Sequence, residues 1–132
     1  MSITIKQKVK FNLAPKKLFA FYMDAKLHSE LIGSKAVVSK EPRSRFTAFG
    51  GDLKGTMLNV NNGKMITQTW RGSNWDKEVL DSILILIFHE IEGGTELELI
   101  HANVPDFEGK GVKEGWKTYY WQPWKAYIKN MK

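Results

Sequence analysis

Ile3, Ile5, Val9 and Phe11 alternate with polar residues, so residues 2–11 read as a first strand with one buried face. Pro15 follows at a point where a helix can begin, because its fixed φ and missing N–H cost nothing in a first turn. Leu18, Phe19 and Tyr22 give that short helix an apolar side. Asp24 is placed to cap a second short helix running through Leu31 and ended by Gly33. Strand-like stretches follow near 35–39, 45–49, 53–61, 64–71, 80–90 and 95–103. Asn61-Asn62-Gly63 and Gly93-Gly94 fall between consecutive strands, where tight hairpins need residues that tolerate positive φ. Val104-Pro105 ends the sheet. From about 111 to 129, Trp116, Tyr119, Tyr120, Trp124 and Tyr127 recur at helical spacing, and Pro123 within that stretch predicts a bend.

A strand, two short helices, a run of antiparallel strands and a long final helix make an α+β domain, with one domain over residues 1–132. About six to seven strands are expected, curved against the C-terminal helix. Such a sheet packs tightly at its ends and can be held open in its middle, which leaves room for an apolar pocket.

Composition narrows the function. With no cysteine, disulfides and thiolate metal sites are excluded. The longest apolar run, Ile83 to Phe88, is too short to span a bilayer, so no membrane association is expected and a cytoplasmic location is the simple reading. The net charge of +6 is unevenly spread: +9 over residues 1–71, −8 over 72–109 and +5 over 110–132. The basic residues are single lysines without an arginine cluster or a nucleic-acid-binding aromatic motif, which argues against nucleic acid. The acidic middle and basic ends could instead orient a charged protein partner.

Several segments together resemble a known family. GWKTYYWQPWKAYI (115–128) is similar to the terminal helix of the domain named after the activator of the heat shock protein 90 ATPase. GGTELELIHANVP (93–105) is similar to its last strand, and KMITQTWR (64–71) with Asn74-Trp75 to its fifth strand and the Trp that follows. APKKLFAFYMDAKLHSELIG (14–33) resembles its two-helix segment. The resemblance implies a helix-grip fold of the START-like, polyketide-cyclase superfamily, and a chaperone of the heat shock protein 90 type as a partner.

That family pattern also implies the strand phase, with Leu84, Leu86 and Phe88 inward. Leu97, Leu99 and His101 then face inward from the partner strand, and Ile66, Gln68 and Trp70 from the strand on the other side. The expected ligand cavity is bounded by Gln68, Trp70, Leu84, Leu86, His101, Trp116 and Tyr120. Gln68 and His101 could orient a ligand's polar atom, or could bond to each other, to backbone or to water. Two surfaces are candidates for protein contact: Trp121, which an α-helix would place among lysines on the outer side, and an outward patch of Ile83, Ile85, Ile87 and Ile100 that would suit a homodimer or another partner, the alternative being a monomer.

No catalytic motif, metal triad or phosphate-cradling loop is present in the sequence, and neither a metal nor another cofactor is expected. The leading expectation is a non-catalytic, chaperone-linked or stress-related protein-binding module. The alternative is a carrier or sensor of a small apolar ligand, and a cyclase-type cavity enzyme ranks third because His101 is its single ionisable candidate.

Overall fold

A computed structural model describes residues 1–131. Strand β1 (Ser2–Phe11) leads through Leu13 and Ala14 into α1 (Pro15–Met23), which opens on Pro15 in its first turn. Asp24 then stops α1 and starts α2 (Ala25–Ile32): its Oδ1 accepts from the Lys26 and Leu27 N–H groups at 3.0 and 3.2 Å. Gly33, at φ 71°, closes α2 in the left-handed conformation that glycine adopts without a steric penalty.

Five strands follow: β2 (Arg45–Ala48), β3 (Leu53–Asn61), β4 (Met65–Gly72), β5 (Ser82–Ile91) and β6 (Gly94–Pro105). They form with β1 one six-stranded antiparallel sheet in the order β1-β6-β5-β4-β3-β2. The expected strand at 35–39 is reduced to a single bridge between Val37 and Thr47. The pairing stops because Phe49, which would face Lys35, turns at φ 54°, and the Lys35 carbonyl takes the Gly50 N–H at 3.1 Å instead. Ala36, whose N–H goes to the Ser29 hydroxyl at 2.9 Å, and Val38 are buried as core.

Both hairpins fall where the glycines place them, with Gly63 at φ 75° and Gly93 at φ 85°. The inner face carries Ile66, Leu84, Leu86, Leu97 and Leu99, all without solvent exposure. Against that face runs the C-terminal helical segment: α3 (Gly109–Gly115), a π-helical stretch (Trp116–Trp121) and α4 (Gln122–Lys129). Gly109 lets α3 sit close to β1, since a Cβ there would lie 2.4 Å from the Ile3 Cδ1.

The π stretch ends at the proline. Pro123 has no N–H to offer the carbonyl of Tyr119, and Gln122 already donates to Lys117, five residues back. The expected irregularity is thus a widened turn just before Pro123.

Candidate functional site

All seven residues expected around the cavity converge on the inner side of the sheet. Gln68 pairs with Leu84 across β4–β5, Leu84 with His101 and Leu86 with Leu99 across β5–β6. Trp70 meets the His101 ring edge-on at 4.7 Å, and Trp116 stacks obliquely on Tyr120 at the same 4.7 Å centroid distance. The space between them is filled.

The polar groups of that interior satisfy one another. Gln68 Oε1 accepts from the Tyr22 hydroxyl at 2.6 Å, while its Nε2 donates to the Thr69 carbonyl at 3.1 Å. The Trp116 indole N–H can only donate, so its 3.1 Å bond to His101 Nδ1 fixes the proton of His101 on Nε2. From there His101 donates to Ser82 Oγ at 2.8 Å, and Ser82 donates onward to the Trp70 carbonyl at 2.5 Å. His28, which the sequence reading places in α2 without a role, is fully buried and forms a second node. Its Nδ1 donates to the Tyr22 carbonyl at 2.7 Å and its Nε2 accepts from the Tyr120 hydroxyl at 2.9 Å.

Burial sets the protonation of these groups. Desolvation holds the His101 pKa down at about 3 and that of His28 at about 4, the latter despite a backbone hydrogen bond that favours the cation. The Tyr22 and Tyr120 hydroxyls are pushed up by burial, Tyr22 additionally by its neighbour Tyr120. At neutral pH every member is uncharged.

The open space lies elsewhere than expected. A cleft of about 450 Å³ opens between the C-terminal helix and the turn after β2. Of the expected cavity residues only Trp70, Trp116 and Tyr120 reach it; Gln68, Leu84, Leu86 and His101 are sealed beneath. The aromatic and histidine side chains fill the middle of the sheet, so only its margin stays open. Phe49, Leu53, Val112, Tyr119, Asp52 and Glu108 complete the lining. Phe49 and Tyr119, in edge-on contact at 5.4 Å, close one side, and Phe49 stands at φ 54° in a turn continued by Gly50 and Gly51. The sequence held one signal for this cleft. Gly111 and Gly115, one helical turn apart, remove side chains from the cleft-facing surface of α3.

One residue of the cleft lining carries an unmatched polar group. Trp70 is 6% exposed, and its indole N–H is buried with no hydrogen-bond partner among the described residues. The same holds for the Trp124 N–H in the core.

Trp121 corrects the sequence reading. It is 4% exposed, stacked on Trp116 at 5.6 Å, and donates its indole N–H to Gln7 Oε1 at 2.6 Å. Regular α-helical phase would turn it outward; a π turn holds about one residue more, so Tyr120 and Trp121 both come round beneath Trp116. Of the aromatic residues at helical spacing, Trp116, Tyr120 and Trp124 are buried, while Tyr119 and Tyr127 are 53% and 41% exposed. Ile83, Ile85, Ile87 and Ile100 lie on the outer sheet face and are half-buried, since Ile85 and Ile100 sit opposite each other and Ile87 beside Met65.

A second concavity, of about 1070 Å³, runs between β1 and the C-terminal helix. Lys8 and Lys10 line its strand side, and Lys110, Lys113, Lys117 and Lys125 its helix side, against Glu96 and Glu114. None of these charges belongs to an ion pair among the described residues; the pairs present are Arg71–Asp81 and His89–Glu98. The sequence showed the charge excess at both chain ends but not that the ends meet.

A six-stranded sheet curved about a C-terminal helix, with two short helices after the first strand, defines a helix-grip domain of the START-like class. The family model for "Activator of Hsp90 ATPase homolog 1-like protein" matches residues 12–129, and the chain belongs to that family. It is 26% identical over 114 residues to the "Activator of 90 kDa heat shock protein ATPase homolog" of Dictyostelium discoideum, covering 86% of this chain and 30% of that protein. The human "Activator of 90 kDa heat shock protein ATPase homolog 1" is 24% identical over 120 residues, 91% of this chain and 35% of its own length. The chain therefore spans about a third of the curated relatives it matches. Among solved structures, an HSP90 activator from Plasmodium falciparum superposes with a TM-score of 0.83 at 23% identity, covering 91% of each chain. A Mesorhizobium loti protein does so with a TM-score of 0.81 at 20% identity, over 98% of this chain and all of the other.

Proposed function

We propose that this chain is a non-catalytic, cytoplasmic binding domain that docks on a chaperone of the heat shock protein 90 type and serves stress-linked protein folding. The observation that carries the reading is the closed polar interior. Tyr22, His28, Gln68, Ser82, His101 and Tyr120 use their polar side-chain atoms on one another or on backbone, which leaves no free, tuned group for acid–base chemistry. Activity then belongs to the surface, where the lysines beside β1, in no ion pair among the described residues, gather in one groove. A domain of this kind raises an ATPase rate by binding one conformer of its partner better than another. Calorimetric titration into a heat shock protein 90 chaperone is expected to show binding that weakens at least tenfold between about 0.05 and 0.5 M salt, because screening shortens the reach of exposed charges. The chaperone's ATPase rate should rise alongside. Neither binding nor stimulation at low salt would overturn the reading.

A second reading, as carrier or sensor of a small apolar ligand, is favoured by Trp70. Its ring lines an apolar cleft, and its buried N–H, without a partner among the described residues, would serve a ligand carbonyl that displaced the packing around it; Asp52 and Glu108 in the lining oppose an anionic ligand. A medium-chain ketone such as 2-undecanone is expected to raise the melting temperature saturably. The Trp70→Phe variant should lose that rise. No shift with the parent protein would eliminate this reading. The cavity-enzyme reading loses support because both ring nitrogens of His101 are occupied.

A further inference from the structure

β1 is an edge strand: β6 lies on one side of it and no strand on the other. An edge of this kind presents backbone N–H and C=O groups to whatever extended segment can approach. What approaches is selected by charge. Lys6, Lys8 and Lys10 alternate along β1 and are exposed, while Gln7 and Val9 point the other way, toward the helix. Across the groove, Lys113, Lys117 and Lys125 stand exposed on the helix.

A strand added beyond β1 would turn its side chains alternately to these two sides. One set would lie beside Lys6, Lys8 and Lys10; the other would face the helix lysines over the Trp121 and Val9 surface. The helix side, where Lys113, Lys117 and Lys125 outnumber Glu114, favours carboxylates, and on the outer side Lys6 does, since Lys8 and Lys10 stand opposite Glu98 and Glu96 of β6. The same lysines reject a second copy of this edge, because antiparallel β1–β1 pairing would set lysine against lysine. Gln7 keeps the arrangement in place: its side-chain amide donates to the Lys113 carbonyl at 3.1 Å and accepts from Trp121. The strand and the helix therefore form two fixed walls.

We propose that the β1 edge and the facing helix bind an extended acidic segment of a partner protein, which adds to the sheet as a seventh strand. The proposal rests on the protein-binding reading and supplies the chemistry of the segment recognised. An octapeptide with the sequence EVEETEEV, acetylated, amidated and fluorescently labelled, is the probe, used with the full chain at low salt. Its anisotropy should report saturable binding. Amide hydrogen exchange should slow within residues 6–10. Two changes should each weaken binding at least tenfold: the K113E/K117E double substitution, whose folding is checked by circular dichroism, and N-methylation of the peptide's two central residues. The methylated peptide keeps every charge and loses strand pairing on both edges.

Equal affinity for the methylated peptide would reduce the groove to a diffuse cation and overturn strand addition. So would tighter binding of single-stranded DNA, or of phosphatidylserine vesicles, through the same lysines. Peptide binding without chaperone binding would leave this proposal standing and remove the chaperone reading; chaperone binding unaffected by K113E/K117E, with no peptide binding, would do the reverse.

Discussion

Lowering the pH from 7 to 5 is expected to remove about 4 kcal/mol of folding stability, roughly 2 kcal/mol for each of two buried histidines. In the unfolded chain His28 and His101 titrate near the ordinary value of 6.5; in the fold they are held near 4 and 3. Between those values the unfolded chain binds more protons than the fold, so stability falls as pH falls. It is fully present above about pH 7, declines steadily below 6.5, and stops declining once the folded histidines themselves protonate. Neither ring can accept a proton in place. His28 would have to give up the Tyr120 hydroxyl as donor and His101 the Trp116 indole N–H, since both partners donate to the only free ring lone pair. Urea midpoints at half-unit pH steps measure the effect. A midpoint that stays level from pH 7 to pH 5 would show that the two histidines are reached by solvent.

Trp124→Ala is expected to cost about 3–5 kcal/mol, enough to leave a domain of typical stability close to unfolding. Trp124 has no solvent exposure and joins three parts of the chain. Its ring packs against Phe11 of β1 at 5.8 Å, Phe21 of α1 at 5.5 Å, and Tyr120 and Trp121 of its own helix at 6.1 and 5.4 Å. Truncation opens a cavity where β1, α1 and the C-terminal helix meet. Trp124→Phe should cost much less, about 1–2 kcal/mol, because most of the ring volume stays and the unpartnered indole N–H goes. Chemical denaturation distinguishes them. An alanine variant within about 1 kcal/mol of the parent would mean that the helix repacks and that Trp124 is not the hub the geometry makes it.

The sequence pattern made most of the framework legible because the signals were local. Pro15, Asp24, Gly33, Gly63 and Gly93 mark boundaries by their own backbone chemistry, and period-two alternation separates Leu84 and Leu86 from Ile83 and Ile85. What it did not yield were features set by distant partners. Trp121 was assigned to the surface by assuming 3.6 residues per turn, while the turn is widened ahead of Pro123. The segment 35–39 has strand-like residues, but the facing chain turns away at Phe49 and the Lys35 carbonyl goes to the Gly50 N–H. The open space lies at the margin of the sheet because two separate groups fill the middle: His28 with Tyr22, Gln68 and Tyr120, and His101 with Ser82 and Trp116. The basic groove needed two charge-rich ends, more than 100 residues apart in the chain, to be seen side by side.

That last juxtaposition bears on how the molecule is made. β1 pairs with β6, which follows it far along the chain, from Ser2–Pro105 to Phe11–Thr95, and its Gln7 waits for Lys113 and Trp121. The hairpins β3–β4 and β5–β6 can close from nearby residues as they emerge. β1 cannot, and loop closure over such a separation is slow. β1 has no neighbour until β6 (Gly94–Pro105) is available, and no clamp until Lys113 and Trp121 follow. Until β6 emerges a nascent chain thus carries an unsheathed, lysine-studded strand, and its charge repulsion protects it from pairing with a sister chain over that interval.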